Sequence, residues 1–162
     1  MSKRWTARAS LLVCLIAFTC ACGQSSSGAG PTPTPDGTTR SYVSLAQSYH
    51  DKYVAARGDG YEACVVDLVP PDCHDRGVAM IVVWESFLKD LSSLRASPRF
   101  AADVKIIRNQ LPIGIGDLKA MVAAAAAGDK TAMQNAANRY ISDMVPTVTG
   151  ALGDMYPPWR TE

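Results

Sequence analysis

Apolar residues recur at intervals of three and four positions through residues 40–162, which is the period of an α-helix with one buried face. No stretch alternates convincingly between apolar and polar residues, as a half-buried strand would. Four helical stretches are predicted, with apolar stripes at Tyr42, Leu45, Tyr49, Tyr53 and Ala56; Ile81, Trp84, Leu88 and Leu91; Val104, Ile107, Leu111, Ile115, Leu118 and Val122; and Met133, Ala137, Tyr140, Met144, Val148, Leu152 and Met155. Short turns favour antiparallel neighbours, so the predicted fold is all-α, an up-down four-helix bundle.

The second stretch, residues 75–94, is apolar nearly all round between Val78 and Trp84, which predicts that it is the most buried element. The third begins after a serine cap at Ser97 and ends at Gly128. The spacing of the first weakens at Gly58 but continues as far as Cys64, so that helix is expected to resume.

Two prolines lie inside predicted helices, Pro112 in the third and Pro146 in the fourth, and each stripe stays in register across its proline. Counted from the turn at Gly128, they lie 16 residues back and 18 residues on, which is roughly 24 and 27 Å along neighbouring helices. Two breaks at one level either bend the hairpin jointly or open a small ligand pocket lined by Pro112, Ile113 and Pro146.

The beginning of the chain has the pattern of a secretory signal. Three basic residues, Lys3, Arg4 and Arg8, precede an apolar run that is too short to span a bilayer, and small residues follow it. Cleavage after Ala21 would make residues 1–21 the signal peptide and Cys22 the new first residue.

The sequence Thr19-Cys20-Ala21-Cys22 resembles the bacterial lipobox, in which the cysteine after the cut is lipidated. The resemblance implies an extracytoplasmic protein that is anchored to the cell membrane through acyl chains on Cys22. Ordinary secretion after cleavage at the same bond is the alternative, and it would leave Cys22 as an unpaired thiol.

Residues 22–39 follow as the lipidated cysteine and a tether, GQSSSGAGPTPTPDGTT, that lacks the aromatic and branched aliphatic residues needed to bury apolar area. It is predicted to be a disordered spacer in front of a helical domain at residues 40–162. Without the three basic residues of the signal, 13 Lys and Arg face 15 Asp and Glu, a net charge of about −2. Nucleic acid is therefore not an expected partner, and the membrane contact must come from the lipid.

Cys64 and Cys73 are the two cysteines of the predicted domain, and they bracket the loop CVVDLVPPDC. Outside the cytoplasm such a pair is expected to form a disulfide, here a staple between the first two helices. The alternative, a metal site, would need soft ligands beyond His74, so neither a metal nor a cofactor is predicted.

Candidate chemistry is sparse. His50 lies 14 residues before Cys64 and Glu85 lies 12 after Cys73, about 21 and 18 Å from the staple along their helices. The two could meet as a half-buried pair that accepts a proton, although solvent exposure or a structural ion pair is the simpler interpretation. No catalytic residue is therefore assigned.

The end of the sequence, MYPPWRTE, carries Tyr156 and Trp159, which either pack back on the bundle or contact a partner. The tether, the cysteine spacing and the alanine run 123–127 resemble small all-helical lipoproteins of high-GC Gram-positive bacteria, a resemblance that implies no particular activity. The predicted function is a non-catalytic module that binds an unknown protein or small ligand. The alternatives are a ligand carrier or sensor with its pocket at the proline level, and an enzyme that uses His50 and Glu85.

Overall fold

The structure is a computed structural model, and it describes residues 36–58 and 72–162. Every regular element in these ranges is helical, as the apolar periodicity predicts. The helices are α1 (Gly37–Arg57), α2 (Asp72–Ser93), α3 (Ala101–Ala126), α4 (Lys130–Arg139) and α5 (Val145–Met155). Short turns of 3₁₀-helix at Pro98–Phe100 and Pro157–Thr161, and of π-helix at Tyr140–Met144, complete the pattern. Within the described ranges, none of these helices has the length and apolar character that crossing a bilayer requires.

α1 begins inside the stretch that was assigned to the tether. The Asp36 carboxylate accepts a hydrogen bond of 2.6 Å from the backbone N–H of Thr39, which is the ordinary way in which an aspartate caps a helix. This hydrogen bond lowers the pKa of Asp36. The helix therefore starts three residues before the predicted boundary at residue 40.

α1 ends at Gly58, whose positive φ of 63° closes the helix and lets its N–H bond to the carbonyl of Val54 at 2.9 Å. The Arg76 side chain, from α2, donates to the carbonyl of Arg57 at 2.8 Å and so ties the two helices together there. The predicted resumption of the helix towards Cys64 lies outside the described residues.

α2 buries a different stripe from the predicted one. Met80, Trp84, Phe87 and Leu91 are each at most 1% exposed, whereas Val82 on the opposite side is 56% exposed. The prediction that this stretch is the most buried element is therefore wrong, since a larger share of α5 is buried. Half of its predicted stripe is wrong as well. In an apolar run this dense, two overlapping stripes satisfy the helical period, and only the neighbouring helices decide which one faces inward.

The core is built around α3, which packs against α2, α4 and α5, while α1 packs against α2 and α5. α3 runs unbroken through Pro112, so the prediction of a single helix across that proline is confirmed. The fourth predicted stretch is interrupted once, by the π-turn, where the N–H of Val145 bonds to the carbonyl of Tyr140 five residues earlier. Pro146 is the second residue of α5, in the first turn after the π-turn, where its missing N–H costs no hydrogen bond within that helix.

Tyr49 links α1 to α2 by donating a hydrogen bond of 2.6 Å to the Asp90 carboxylate. Burial, followed by this hydrogen bond, raises the pKa of the Tyr49 hydroxyl from 10.0 to about 12. The unfolded chain loses the phenolic proton at a lower pH than the folded chain does. The native state therefore holds more protons between these two values, and its stability falls as the pH rises through them.

We expect Tyr49→Phe to remove part of the loss of stability at high pH, because phenylalanine has no phenolic proton to lose. Urea unfolding of both proteins at intervals from pH 9 to pH 12 measures the effect, and other alkaline transitions are common to both curves. The variant should be the less stable protein at pH 9, and the difference should shrink towards pH 12. Two parallel stability curves would contradict the prediction.

Candidate functional site

Two of the predicted site residues, Cys22 and Cys64, lie outside the described residues. Lipidation of Cys22 and the disulfide between Cys64 and Cys73 therefore stay predictions. Cys73 itself is buried in the first turn of α2.

The structure does not bring His50 and Glu85 together. The Glu85 carboxylate lies 2.7 Å from the ammonium group of Lys119 on α3, and its side chain is 50% exposed. His50 instead faces Glu162, with 3.4 Å between its Nε2 atom and the carboxylate. The alternative in which the two residues meet is therefore wrong, because counting residues from the loop gives the height along each helix but not the face of the helix. The simpler interpretation, solvent exposure or a structural ion pair, agrees with the pairing of Glu85 with Lys119.

The three residues that were expected to line a pocket point outward. Pro112 and Pro146 are exposed, and Ile113 is 59% exposed. At the height of these prolines, the space between the helices is filled, because the buried side chain of Met144 packs directly against Gly114. The predicted pocket lined by these residues is therefore wrong, although both prolines lie beside this helix contact.

Trp159 is fully buried, so the tail packs back on the helices. Its indole stacks on that of Trp84, with 5.5 Å between the ring centroids and 28° between their planes. Its Nε1–H donates a hydrogen bond of 2.9 Å to the backbone carbonyl of Ala46 on α1. Tyr156 is half-buried beside His50, with 5.6 Å between their ring centroids.

Four aromatic residues from separate parts of the chain meet here, and we call them the aromatic cluster: Tyr53, Trp84, Tyr140 and Trp159. The ring of Tyr53 lies 5.0 Å from Trp84 and 5.3 Å from Trp159. The indole N–H of Trp84 donates to the hydroxyl of Tyr140 at 3.0 Å. Burial raises the pKa of Tyr53, so its hydroxyl stays neutral. The π-turn carries Tyr140, which makes this turn part of the cluster.

A polar cluster of His50, Arg57 and Glu162 borders the aromatic cluster. The Glu162 carboxylate lies 3.1 Å from the guanidinium of Arg57 and 3.4 Å from the imidazole of His50. The three side chains are only 12–26% exposed, so the charges of Arg57 and Glu162 are partly removed from water. The imidazole also stands edge-on to Trp159, with 5.1 Å between the ring centroids.

Sequence reasoning missed Arg57 and Glu162. One signal was available, because Arg57 follows His50 by seven residues and two helical turns place both on one face. Their partner Glu162 comes from the other end of the described chain, and no local pattern indicates that meeting. The arrangement holds a carboxylate between an imidazole and a guanidinium, next to a slot for an indole.

The described residues contain no group of three or more His, Cys, Asp or Glu that could hold a metal ion. Comparison of the chain with protein-family models, with curated proteins and with solved structures finds no match.

Proposed function

We propose that this protein is a lipoprotein of the cell envelope whose helical domain is a non-catalytic binding module on the outer face of the membrane. The observation that carries the proposal is the sequence Thr19-Cys20-Ala21-Cys22 behind a basic segment and a short apolar run. Acyl chains on Cys22 add about 0.8 kcal/mol of membrane affinity per buried methylene, so a multiply acylated cysteine gives a firm anchor.

In this proposal the domain is an up-down bundle in which the π-turn joins two segments of one long fourth helix. A disulfide between Cys64 and Cys73 staples the first two helices, and the stretch from Gly23 to Pro35 is a flexible arm. The arm sets the distance at which the domain meets its partner.

A binding role is better supported than the two alternatives. The acid and base of the enzymatic hypothesis lie on different faces, with Glu85 paired to Lys119. The proposed carrier pocket is occupied by Met144 against Gly114. What supports a binding role is that Trp159 and Glu162 follow Pro157 and Pro158 and contact α1 across the chain, an arrangement that a peptide segment of the same chemistry could repeat.

Cys22→Ala is expected to move the protein from the membrane fraction to the culture fluid, because the variant has no thiol to acylate. Cys20→Ala is the matched control, since that cysteine is removed with the signal, and it should leave the protein on the membrane. Fractionation followed by intact mass measurement of the detergent-extracted protein tests both.

Recovery of the unsubstituted protein entirely in the culture fluid, or an unmodified first residue by mass, would contradict the lipid anchor. The binding role has its own readout in the same cells. Reversible cross-linking before extraction should give a discrete adduct with another protein or a second copy, whereas recovery as an uncrosslinked monomer alone would contradict it.

A further inference from the structure

Residues 156–162 follow α5, and we call them the closing segment. Its first residue, Tyr156, is extended and forms the hinge to α5. The N–H of Tyr156 still bonds to the carbonyl of Leu152 at 2.8 Å, but its backbone then turns to φ −143° and ψ 103°. Pro157 and Pro158 follow. A proline disfavours helical backbone in the residue before it, so the chain must leave α5 in an extended conformation at this point.

The closing segment packs against α5, where Arg160 pairs with Asp154, while its Trp159 and Glu162 side chains contact the first two helices. The Trp159 indole lies against Trp84 of α2 and hydrogen-bonds to Ala46 of α1, which is 113 positions away in sequence. Glu162 lies between His50 and Arg57 of α1. We call these parts of α1 and α2 the cleft: Ala46, His50, Arg57 and Trp84. The cleft thus recognises an indole and, three residues later, a carboxylate.

We propose that this cleft accepts the closing segment of a second copy of the same chain, so that two molecules exchange segments and form a reciprocal dimer. A second copy carries the identical segment, and each contact that Trp159 and Glu162 make in one molecule can be repeated between two. Only the direction of the chain at Tyr156 has to differ. The proposal concerns the helical domain and does not depend on the lipid anchor.

In the closed form the segment binds its own molecule, and in the exchanged form it binds a second copy. The two forms share their contacts, so the concentration of the protein decides which one is favoured. The closed form is favoured in dilute solution, since the segment is held near its own cleft. A hinge of one residue followed by two prolines works against that advantage, because a short, stiff connection limits how the segment can turn back. Crowding of copies therefore favours the exchanged form.

One contact crosses the hinge and can report the exchange. Gly153 of α5 lies under the side chain of Arg160, close enough that a Cβ atom at Gly153 would overlap the Arg160 Cγ and lie 3.1 Å from its Nε. Two cysteines at these positions are therefore near enough for a disulfide. A disulfide between positions 153 and 160 of different molecules, in excess of that formed by random collision, requires that the closing segment has crossed over.

The test co-expresses two full-length copies with different tags. One carries Gly153→Cys together with Arg160→Ala, which removes the overlapping side chain, and the other carries Arg160→Cys. After mild oxidation, non-reducing electrophoresis should show a disulfide-linked heterodimer. Its yield should be roughly tenfold higher than in the control, in which the second copy carries Ala123→Cys instead, because docking raises the local concentration of thiols. Ala123 is exposed on α3 and measures random collision.

The double variant Gly153→Cys/Arg160→Cys in one chain checks the geometry by closing internally. If it closes while the mixed copies give no more heterodimer than the Ala123→Cys control, the segment stays with its own chain and the proposal is wrong. Cross-linking of the Gly153→Cys copy to a different protein instead would assign the cleft to that protein and also overturn the proposal.

A second measurement needs no new cysteine. Insertion of three glycines after Tyr156 relieves the hinge and should lower the dimer fraction of the detergent-extracted protein, as measured by sedimentation over a range of concentrations. A protein that is monomeric at every concentration with either hinge contradicts the exchange.

Discussion

Trp159→Ala is expected to lower the free energy of unfolding by about 3–5 kcal/mol, the range for truncating a large buried aromatic side chain. The indole is completely buried, and it contacts Tyr53, Trp84 and His50 from two different helices. Its removal also leaves the carbonyl of Ala46 without the hydrogen bond from the indole. A loss of this size is a large share of the total stability of a small domain.

Urea unfolding followed by circular dichroism measures the loss as a shift of the midpoint. Thr161→Ala is the matched control, because Thr161 lies in the same turn with an exposed side chain and should change stability by no more than about 0.5 kcal/mol. Equal effects of the two substitutions would show that the closing segment adds little to the folded state. They would also remove the basis for its recognition by the cleft.

The apolar stripes of the third and fourth predicted stretches were sound guides to the core. In the third, Ile107, Leu111 and Leu118 are fully buried. Every residue of the fourth stripe is buried, even across the π-turn and Pro146. These stripes extend over many turns with one apolar residue per turn, so only one face of the helix satisfies the pattern.

The sequence could not assign the buried face of α2. Ile81 and Leu88 of the predicted stripe are only half-buried, because Met80 and Phe87 occupy the inward positions next to them. The contacts that decide this come from other helices, such as Val122 of α3, which packs against Gly77. Such contacts join residues far apart in sequence, and periodicity carries no record of them.

The candidate site was predictable only in its parts. His50 and Trp159 were singled out, but as members of separate features. The structure brings them into contact because Pro157 and Pro158 end the helical path and turn the following residues towards α1. The low helix propensity of proline predicts that the helix stops at these two residues. The direction of the chain beyond them depends on where the other helices leave an apolar site for Trp159.

The level of Pro112 and Pro146 shows how a correct observation led to a wrong interpretation. The prolines drew attention to this height, yet both lie on the outside. The residue that determines the helix contact is Gly114, whose missing side chain leaves room for Met144. The two helices therefore approach closely at a level where a gap was one of the two expectations, and the close approach gives a prediction with a definite sign.

Gly114→Ala is expected to lower the free energy of unfolding by up to about 2 kcal/mol. Alanine favours a helix over glycine by about 0.8–1 kcal/mol, so the substitution would stabilise an open site. At Gly114, however, the new methyl group would lie 2.7 Å from Cε and 3.0 Å from Cβ of Met144, and Met144 is buried in the π-turn. Overpacking of this kind costs about 1–3 kcal/mol, which exceeds the gain in helix propensity.

Gly116→Ala is the matched control, because it lies two residues further along the same helix and no neighbouring element of the described chain comes within 4 Å of the place that its methyl group would take. It should raise the stability by about 0.5–1 kcal/mol, so the two substitutions should differ in sign. Met144→Ala removes the overlapping atoms and should therefore cost less in the Gly114→Ala protein than in the original one, a coupling that a double-mutant cycle measures. If both glycine substitutions stabilise the protein equally, α3 and the π-turn are not in close contact at this level, and a space between them becomes the better interpretation.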